Sequence, residues 1–305
     1  MQERQEKRPE QQTHVPQLAA CKKFGQYKKE NEHGIRSLQV EENETLENLS
    51  DAWNKYREFL YHRNSHQILN SLIEGISYSA SDIERFSIIL GKFQHEDGFS
   101  HGAAAFLNFL IYHGHDDHYI VQTSHLESRM DFLGTNNPGK IITVVGDVGT
   151  HCGSSMRSGL IHVKGNTREE TGRSMLGGKI IIDGDAYDCG DSMDGGEILV
   201  KGNVIHNVGH LMGNGKIYID GDALAFVGEA MAGGEIHVAG NAGSYINAEI
   251  GTKMNGGLIT IDGDVRGWIG DKMNGGMIYI GGNIEDFSKV RGGSVCHKGK
   301  LIVDK

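Results

Sequence analysis

Proline is almost missing from this chain: 3 in 305 residues, with none after Pro138. A stretch without proline can run an unbroken backbone hydrogen-bond ladder, because no donor is removed. Cysteine is also scarce. Cys21, Cys152, Cys189 and Cys296 are far apart and form no CxxC pair, which excludes a disulfide framework and a zinc knuckle. Positive charge is in deficit, with 30 Lys and Arg against 40 Asp and Glu and a net charge of −10. A general nucleic-acid binder would carry a basic face, so no nucleic-acid partner is expected. No apolar run reaches the roughly 18 residues of a membrane span. Met1 to Gln12 is polar and charged, without the apolar core of a signal peptide, so a cytoplasmic protein with no membrane partner is expected.

Glycine is abundant and unevenly placed. Of 44 glycines, 36 lie at or after Gly139. From there the chain repeats about every 19 residues. A glycine opens a short aliphatic run, a Gly-Asp or Gly-Asn pair closes it, a second glycine follows, and a methionine comes next. Examples of the run are Gly178 to Asp185, Gly196 to Asn203 and Gly215 to Asp222. The pair glycines are Gly146, Gly165, Gly184, Gly202, Gly221, Gly240, Gly263 and Gly282. Only one interval is broken, by a four-residue insertion around Tyr245 to Ala248. Such a period means a solenoid, in which each unit buries its apolar face on its neighbours. Met156, Met175, Met193, Met212, Met231, Met254 and Met273 hold one phase, which predicts an internal methionine ladder. The pair glycines are expected at corners that need positive φ.

A second pattern overlies the first. Asp147, Asp185, Asp222 and Asp264 alternate with Asn166, Asn203, Asn241 and Asn283 after the pair glycine. The resulting period of about 38 residues suggests two repeats per turn, so that like stacks on like at the strand spacing of about 4.8 Å.

The first part of the chain is different. Residues 1–37, rich in Gln, Glu, Lys and Arg, read as a flexible tail. Residues 38–134 read as a helical domain. Leu46, Leu49, Trp53, Tyr56, Phe59 and Leu60 recur at helical spacing, as do Ile68, Leu69, Leu72 and Ile73. Ser81 and Glu84 have the form of a capping box opening the next helix. His101 to His113 is apolar nearly all round and reads as a buried helix. His118 to Gln122 suits a short strand, and Thr135 to Gly139 marks the boundary with the solenoid, 135–305. The helical domain is expected to cover the first coil, and Gly293 to Lys305 to form an atypical last one.

The glycines of fixed spacing, such as Gly184 to Gly190, Gly202 to Gly209, Gly221 to Gly228 and Gly263 to Gly270, resemble the GXGXG-motif domain. That domain is shared by the C-terminal part of the glutamate synthase large subunit, by the β-helical subunit of formylmethanofuran dehydrogenase, and by the related formyltransferase/hydrolase complex. The resemblance implies a mainly β fold, a right-handed parallel β-helix, that supports catalytic domains and carries no chemistry itself. The chain begins Met1-Gln2-Glu3, without the N-terminal nucleophilic cysteine of the synthase amidotransferase, and shows no iron–sulfur cysteine pattern.

Chemistry-bearing motifs are few. His113, His115 and His118, with Asp116 and Asp117 between them and His95, His101 and His125 nearby, have the residue types of a transition-metal site; a solvated loop gives the same pattern. The aspartates Asp183, Asp220 and Asp262 could suggest calcium, but turn capping explains them and the period is twice that of calcium-binding β-rolls. His151 beside Cys152 is a conceivable nucleophilic pair, although neighbours on a strand point to opposite faces. Lys140, Lys179 and Lys216 share a phase with the alternate Glu197 and Glu235, which reads as a mixed solvated surface. No catalytic residue and no cofactor is assigned.

Three functions compete. The first is a non-catalytic scaffold subunit that assembles catalytic subunits, as the resemblance implies. The second is a free-standing adaptor that binds one target through the helices and another through the solenoid. The third is a metal-dependent enzyme at the domain junction. Protein partners are expected in the first two, and a homo-oligomer is compatible with either.

Overall fold

The computed structural model describes residues 40–245, 248–286, 290 and 292–304. They belong to one compact unit, residues 36–305; the expected flexible tail and Cys21 lie outside the described residues.

Four helices come first. α1 (Glu44–Tyr56) opens on Asn43, whose Oδ1 accepts the Leu46 amide at 3.0 Å, with Glu44 and Glu47 in its acid-favouring first turn. A 3-10 turn, Arg57–Phe59, leads to α2 (Ser65–Ile73). α3 (Ala80–Ile89) begins two residues before the expected capping box. Ser79 is the N-cap, its hydroxyl accepting from the Asp82 amide while Asp82 accepts from the Ser79 amide. Ser81 and Glu84 fit the same sequence pattern, but they lie inside the helix. α4 (Phe99–His113) is buried along most of its length. Trp53 sits at the centre of the helical layer, edge-on to Phe106 at 5.6 Å and to Phe99 at 6.4 Å.

The remainder is a parallel β-solenoid. Its principal sheet has eleven strands in the order β1 (His118–Gln122), β2 (Pro138–Val145), β3 (Ser158–Lys164), β4 (Lys179–Ile182), β5 (Asp194–Val200), β6 (Asn214–Ile219), β7 (Glu235–Val238), β9 (Leu258–Ile261), β11 (Met277–Ile280), β13 (Ser294–His297) and β14 (Lys300–Asp304). All neighbours pair parallel except β13 and β14, which are antiparallel. A second wall carries isolated parallel bridges and a three-stranded sheet of β8 (Glu249–Ile250), β10 (Val265–Ile269) and β12 (Ile284–Asp286).

The register corrects one expectation. Lys179 pairs with Glu197, Glu197 with Lys216 and Lys216 with Glu235, so each repeat of about 19 residues makes one full turn, not half of one. The 38-residue alternation has a chemical cause. Asn203 donates its backbone amide and its Nδ2 to Asp185 Oδ1, at 2.7 and 3.2 Å, and its own Oδ1 accepts the Asp222 amide at 2.9 Å. The same pattern links Asp147 to Asn166 and Asp222 to Asn241. An asparagine between two aspartates supplies a donor where a stacked carboxylate would repel. Cations stand at both ends of the ladder: Arg129 lies 2.6 Å from Asp147, and Lys298 lies 3.0 Å from Asn283.

Inside the solenoid, one row reads Ile142, Ile161, Ile180, Ile198, Ile217, Ile236, Ile259 and Ile278, and every member is fully or almost fully buried. All seven methionines of the repeat are buried too. The methyl of each fills the space beneath a strand-opening glycine of the next coil. A Cβ on Gly196 (φ +88°) would lie 2.6 Å from the Met175 methyl.

The pair glycines have a different reason from the expected one. Apart from Gly146, they do not adopt positive φ. They are small because the coils approach closely: a Cβ on Gly202 would lie 2.3 Å from Asp185 Oδ1, and one on Gly221 2.5 Å from the Gly202 carbonyl oxygen. The four-residue insertion is absorbed between β7 and β9, which stay in register.

The helices and the solenoid share one continuous apolar core from Leu46 to Val295. α3 lies against β1; Ser87 Oγ accepts the Gln122 amide at 2.9 Å, and Gln122 Nε2 donates to Glu84 at 2.8 Å. Asn108 of α4 bonds the Phe132 carbonyl and the Gly134 amide, both at 2.8 Å. β1 pairs with β2, so the first coil already starts within the stretch assigned to the helical domain.

Candidate interaction surface

The principal sheet turns alternate side chains outward, and these divide it into two zones. On β4 to β7 the zone is charged and internally paired. Lys179 bonds Glu197 at 2.6 Å, Lys216 bonds Glu235 at 2.8 Å, and Lys201 bonds Asp183 at 2.7 Å. His162 lies 3.0 Å from Asp183, and His237 lies 2.9 Å from Asp262. The Lys201 ammonium, in the lead, together with His162 lowers the Asp183 carboxyl below its ordinary range despite some desolvation. Lys140 is not part of this column. A register shift after Pro138 puts Ile141 opposite Leu160, and Lys140 Nζ instead donates to the carbonyls of Gly114 and Asp116 at 3.0 and 2.7 Å.

The second zone begins at β9. The column that carries Lys and Glu lower down continues as Leu258, Met277 and Ser294. The adjacent column continues as Thr260, Tyr279 and Cys296. Neither holds a charged residue across β9, β11 and β13. Tyr279 is 40% exposed, and Leu258 and Met277 are half-buried. This is a flat, charge-depleted strip on a rigid sheet, with the composition of an interface centre rather than of ordinary solvated surface. The repeat itself carries the signal: at the phase of Lys179, Glu197, Lys216 and Glu235 the sequence changes to Leu258 and Met277.

The histidine cluster is dispersed by the fold. His113 ends α4, stacked on Phe109 at 4.1 Å with Nδ1 2.9 Å from the Phe109 carbonyl. His118 opens β1 and bonds Thr143 Oγ1 at 2.9 Å, and His115 is exposed between them. Asp116 accepts the Ala80 amide at 2.7 Å and so ties the loop to the start of α3. A cleft of about 280 Å³ opens here, lined by Asn70, Tyr78, His113 and His115 among others. Among the described residues, no group of three or more His, Cys, Asp or Glu is arranged to hold a metal ion.

Cys152 and Cys189 are fully buried, and burial pushes the Cys152 thiol up to about 12 and raises Cys189 as well. His151 turns the other way, stacking on Phe132 at 4.3 Å and meeting Glu170 at 2.6 Å. The two do not form a nucleophile and base. Asp185 and Asp222 are engaged in the Asp–Asn ladder, and Asp262 by His237.

One titratable cluster is not visible in the sequence. Glu170, Arg173, Asp188, Asp191 and His210 come from three consecutive coils, with His210 3.2 Å from Asp191 and Arg173 2.5 Å from Glu170. Asp188 accepts the Glu170 amide, and its burial, ahead of that hydrogen bond and the nearby carboxylates, pushes its carboxyl up to about 6. Only the rule that one repeat equals one turn brings these positions together.

No protein-family model matches the chain, and no curated protein matches it. Among the described residues no helix is long and apolar enough to cross a membrane.

Proposed function

We propose that this chain is a non-catalytic scaffold subunit, cytoplasmic, whose solenoid holds the catalytic subunits of a multi-subunit enzyme. The observation that carries this reading is the charge-free strip of Leu258, Met277, Thr260 and Tyr279 on an otherwise charge-paired sheet. A strip of this kind, on a backbone fixed by ladders above and below, is already organised for a flat protein partner and loses little entropy on docking. The GXGXG resemblance gives the partner class: subunits like those of glutamate synthase, formylmethanofuran dehydrogenase or the formyltransferase/hydrolase complex.

The adaptor reading is the alternative, and one observation favours it. Phe59 and Tyr61, beside the turn after α1, are 37% and 84% exposed and offer a second docking point. Affinity purification of the tagged chain from its own cells separates the two. Stoichiometric flavin-dependent synthase, amidohydrolase-like or formyltransferase-like subunits support the scaffold. Recovery of one non-enzymatic target, lost when Tyr61 is changed to Ala, supports the adaptor.

A further inference from the structure

The two edges of the principal sheet are finished differently. At one, α3 lies against β1 and Ser87 accepts the Gln122 amide. At the other, β14 is outermost, and among the described residues no strand pairs with its far side. Open edges normally carry features that discourage pairing, such as a lysine or a bulge. β14 has both: it opens on Lys300, and Ile302 is the extra residue where the register with β13 shifts. Yet the bulge leaves two successive aliphatic residues at the surface, Leu301 at 54% and Ile302 at 37% exposure. The strand sequence, Lys-Leu-Ile-Val-Asp over 300–304, is also its own complement when reversed. In an antiparallel register centred on Ile302, position 300 of one copy faces position 304 of the other, a lysine against an aspartate, at both ends. Leu301 then faces Val303, and Ile302 faces its own copy.

We propose that β14 pairs with β14 of a second copy of this chain about a twofold axis through Ile302, joining two solenoids end to end. The lysine that would repel a foreign strand is matched only by a partner that offers an aspartate four positions on, so the same residue admits a second copy and disfavours others. A twofold contact of this kind closes on itself and gives dimers rather than fibres. The pairing uses the sheet edge and leaves the strip on β9 and β11 open, so it does not rest on the scaffold reading.

Sedimentation velocity of the purified full chain, over a hundredfold range of concentration, tests this. The expected result is a species of twice the 33.4 kDa chain mass that dissociates on dilution. Lys300→Asp should weaken the dimer by about tenfold or more, because two attractive cross-strand pairs become repulsive. Asp304→Lys should do the same. Mixing the two variants should restore a heterodimer, because each then supplies the charge the other lacks. Ile302→Lys should give monomer with an unchanged circular dichroism spectrum and melting temperature. A wild-type chain that stays monomeric throughout overturns the proposal. So does a dimer that ignores Lys300→Asp and Ile302→Lys, or two charge variants that fail to complement each other.

Discussion

Replacing Asn203 by Asp tests whether the Asp–Asn ladder is a stack of adjacent coils. In the folded chain Asn203 lies between Asp185 and Asp222, giving two donors to the first and accepting from the second. Asn203→Asp removes the Nδ2 donor and stacks three carboxylates at about the 4.8 Å strand spacing. Two unit charges about 5 Å apart repel by roughly 1–3 kcal/mol at an effective dielectric of 20–80. Solvent screening at these half-exposed positions favours the lower end. Two such pairs and one lost hydrogen bond of about 1 kcal/mol give a destabilisation of roughly 2–5 kcal/mol at pH 7. For a domain of this size that is a fall of roughly 5–15 °C in melting temperature. The pH dependence follows from the sign of the effect. Like charges raise carboxyl pKa values in the folded state, so the folded chain binds protons more readily than the unfolded one, and the deficit shrinks as pH falls toward 4. Asp222→Asn removes a charge and keeps an acceptor for the Asn241 amide, so it should cost less than about 1 kcal/mol. Restoring alternation in the triple variant Asp185→Asn, Asn203→Asp, Asp222→Asn should recover most of the loss. Melting curves at pH 7 and pH 4 read all of this. Equal effects of Asn203→Asp and Asp222→Asn, or a loss that does not depend on pH, would refute the reasoning.

Two further outcomes are expected from the same core. Gly196→Ala must hold φ near +88° and place a methyl 2.6 Å from the Met175 terminus, so it should destabilise by roughly 2–4 kcal/mol in denaturant titration. The paired change with Met175→Ala, which empties that space, should relieve only the steric part. Asp188→Asn should stabilise the chain by about 1–3 kcal/mol at pH 7, because a carboxyl whose folded pKa is raised to about 6 costs stability as pH rises through that value. Below about pH 4 the two proteins should melt together; a constant difference across pH would place the effect in packing instead.

Much of this fold is legible in one dimension. The glycine and methionine phases locate the coils, and the strand alternation follows from the aliphatic runs. The turn length is not legible, because the Asp–Asn alternation looks like a geometric period but is a hydrogen-bond requirement between neighbouring coils. The first coil escapes the repeat pattern because residues 118–137 lack the Gly-Asp marker, although Gly134 stands 19 residues before Gly153 and both have positive φ. The start of α3 is ambiguous because two overlapping Ser-x-x-acid patterns compete, and the sequence does not rank them. The charge-free strip is written in the strand-opening residues. The cluster around Asp188 is not, because it depends on which side chains the corners turn outward.

The most direct test of the scaffold account is to compare co-purification by the tagged wild-type chain and by a Met277→Glu, Tyr279→Lys variant of matched melting temperature. The account predicts stoichiometric recovery of catalytic subunits with the wild type and at least a tenfold loss with the variant, because two charges are buried without partners in the contact. Undiminished recovery with the variant, or a wild-type chain that brings down no enzyme subunit, would contradict it.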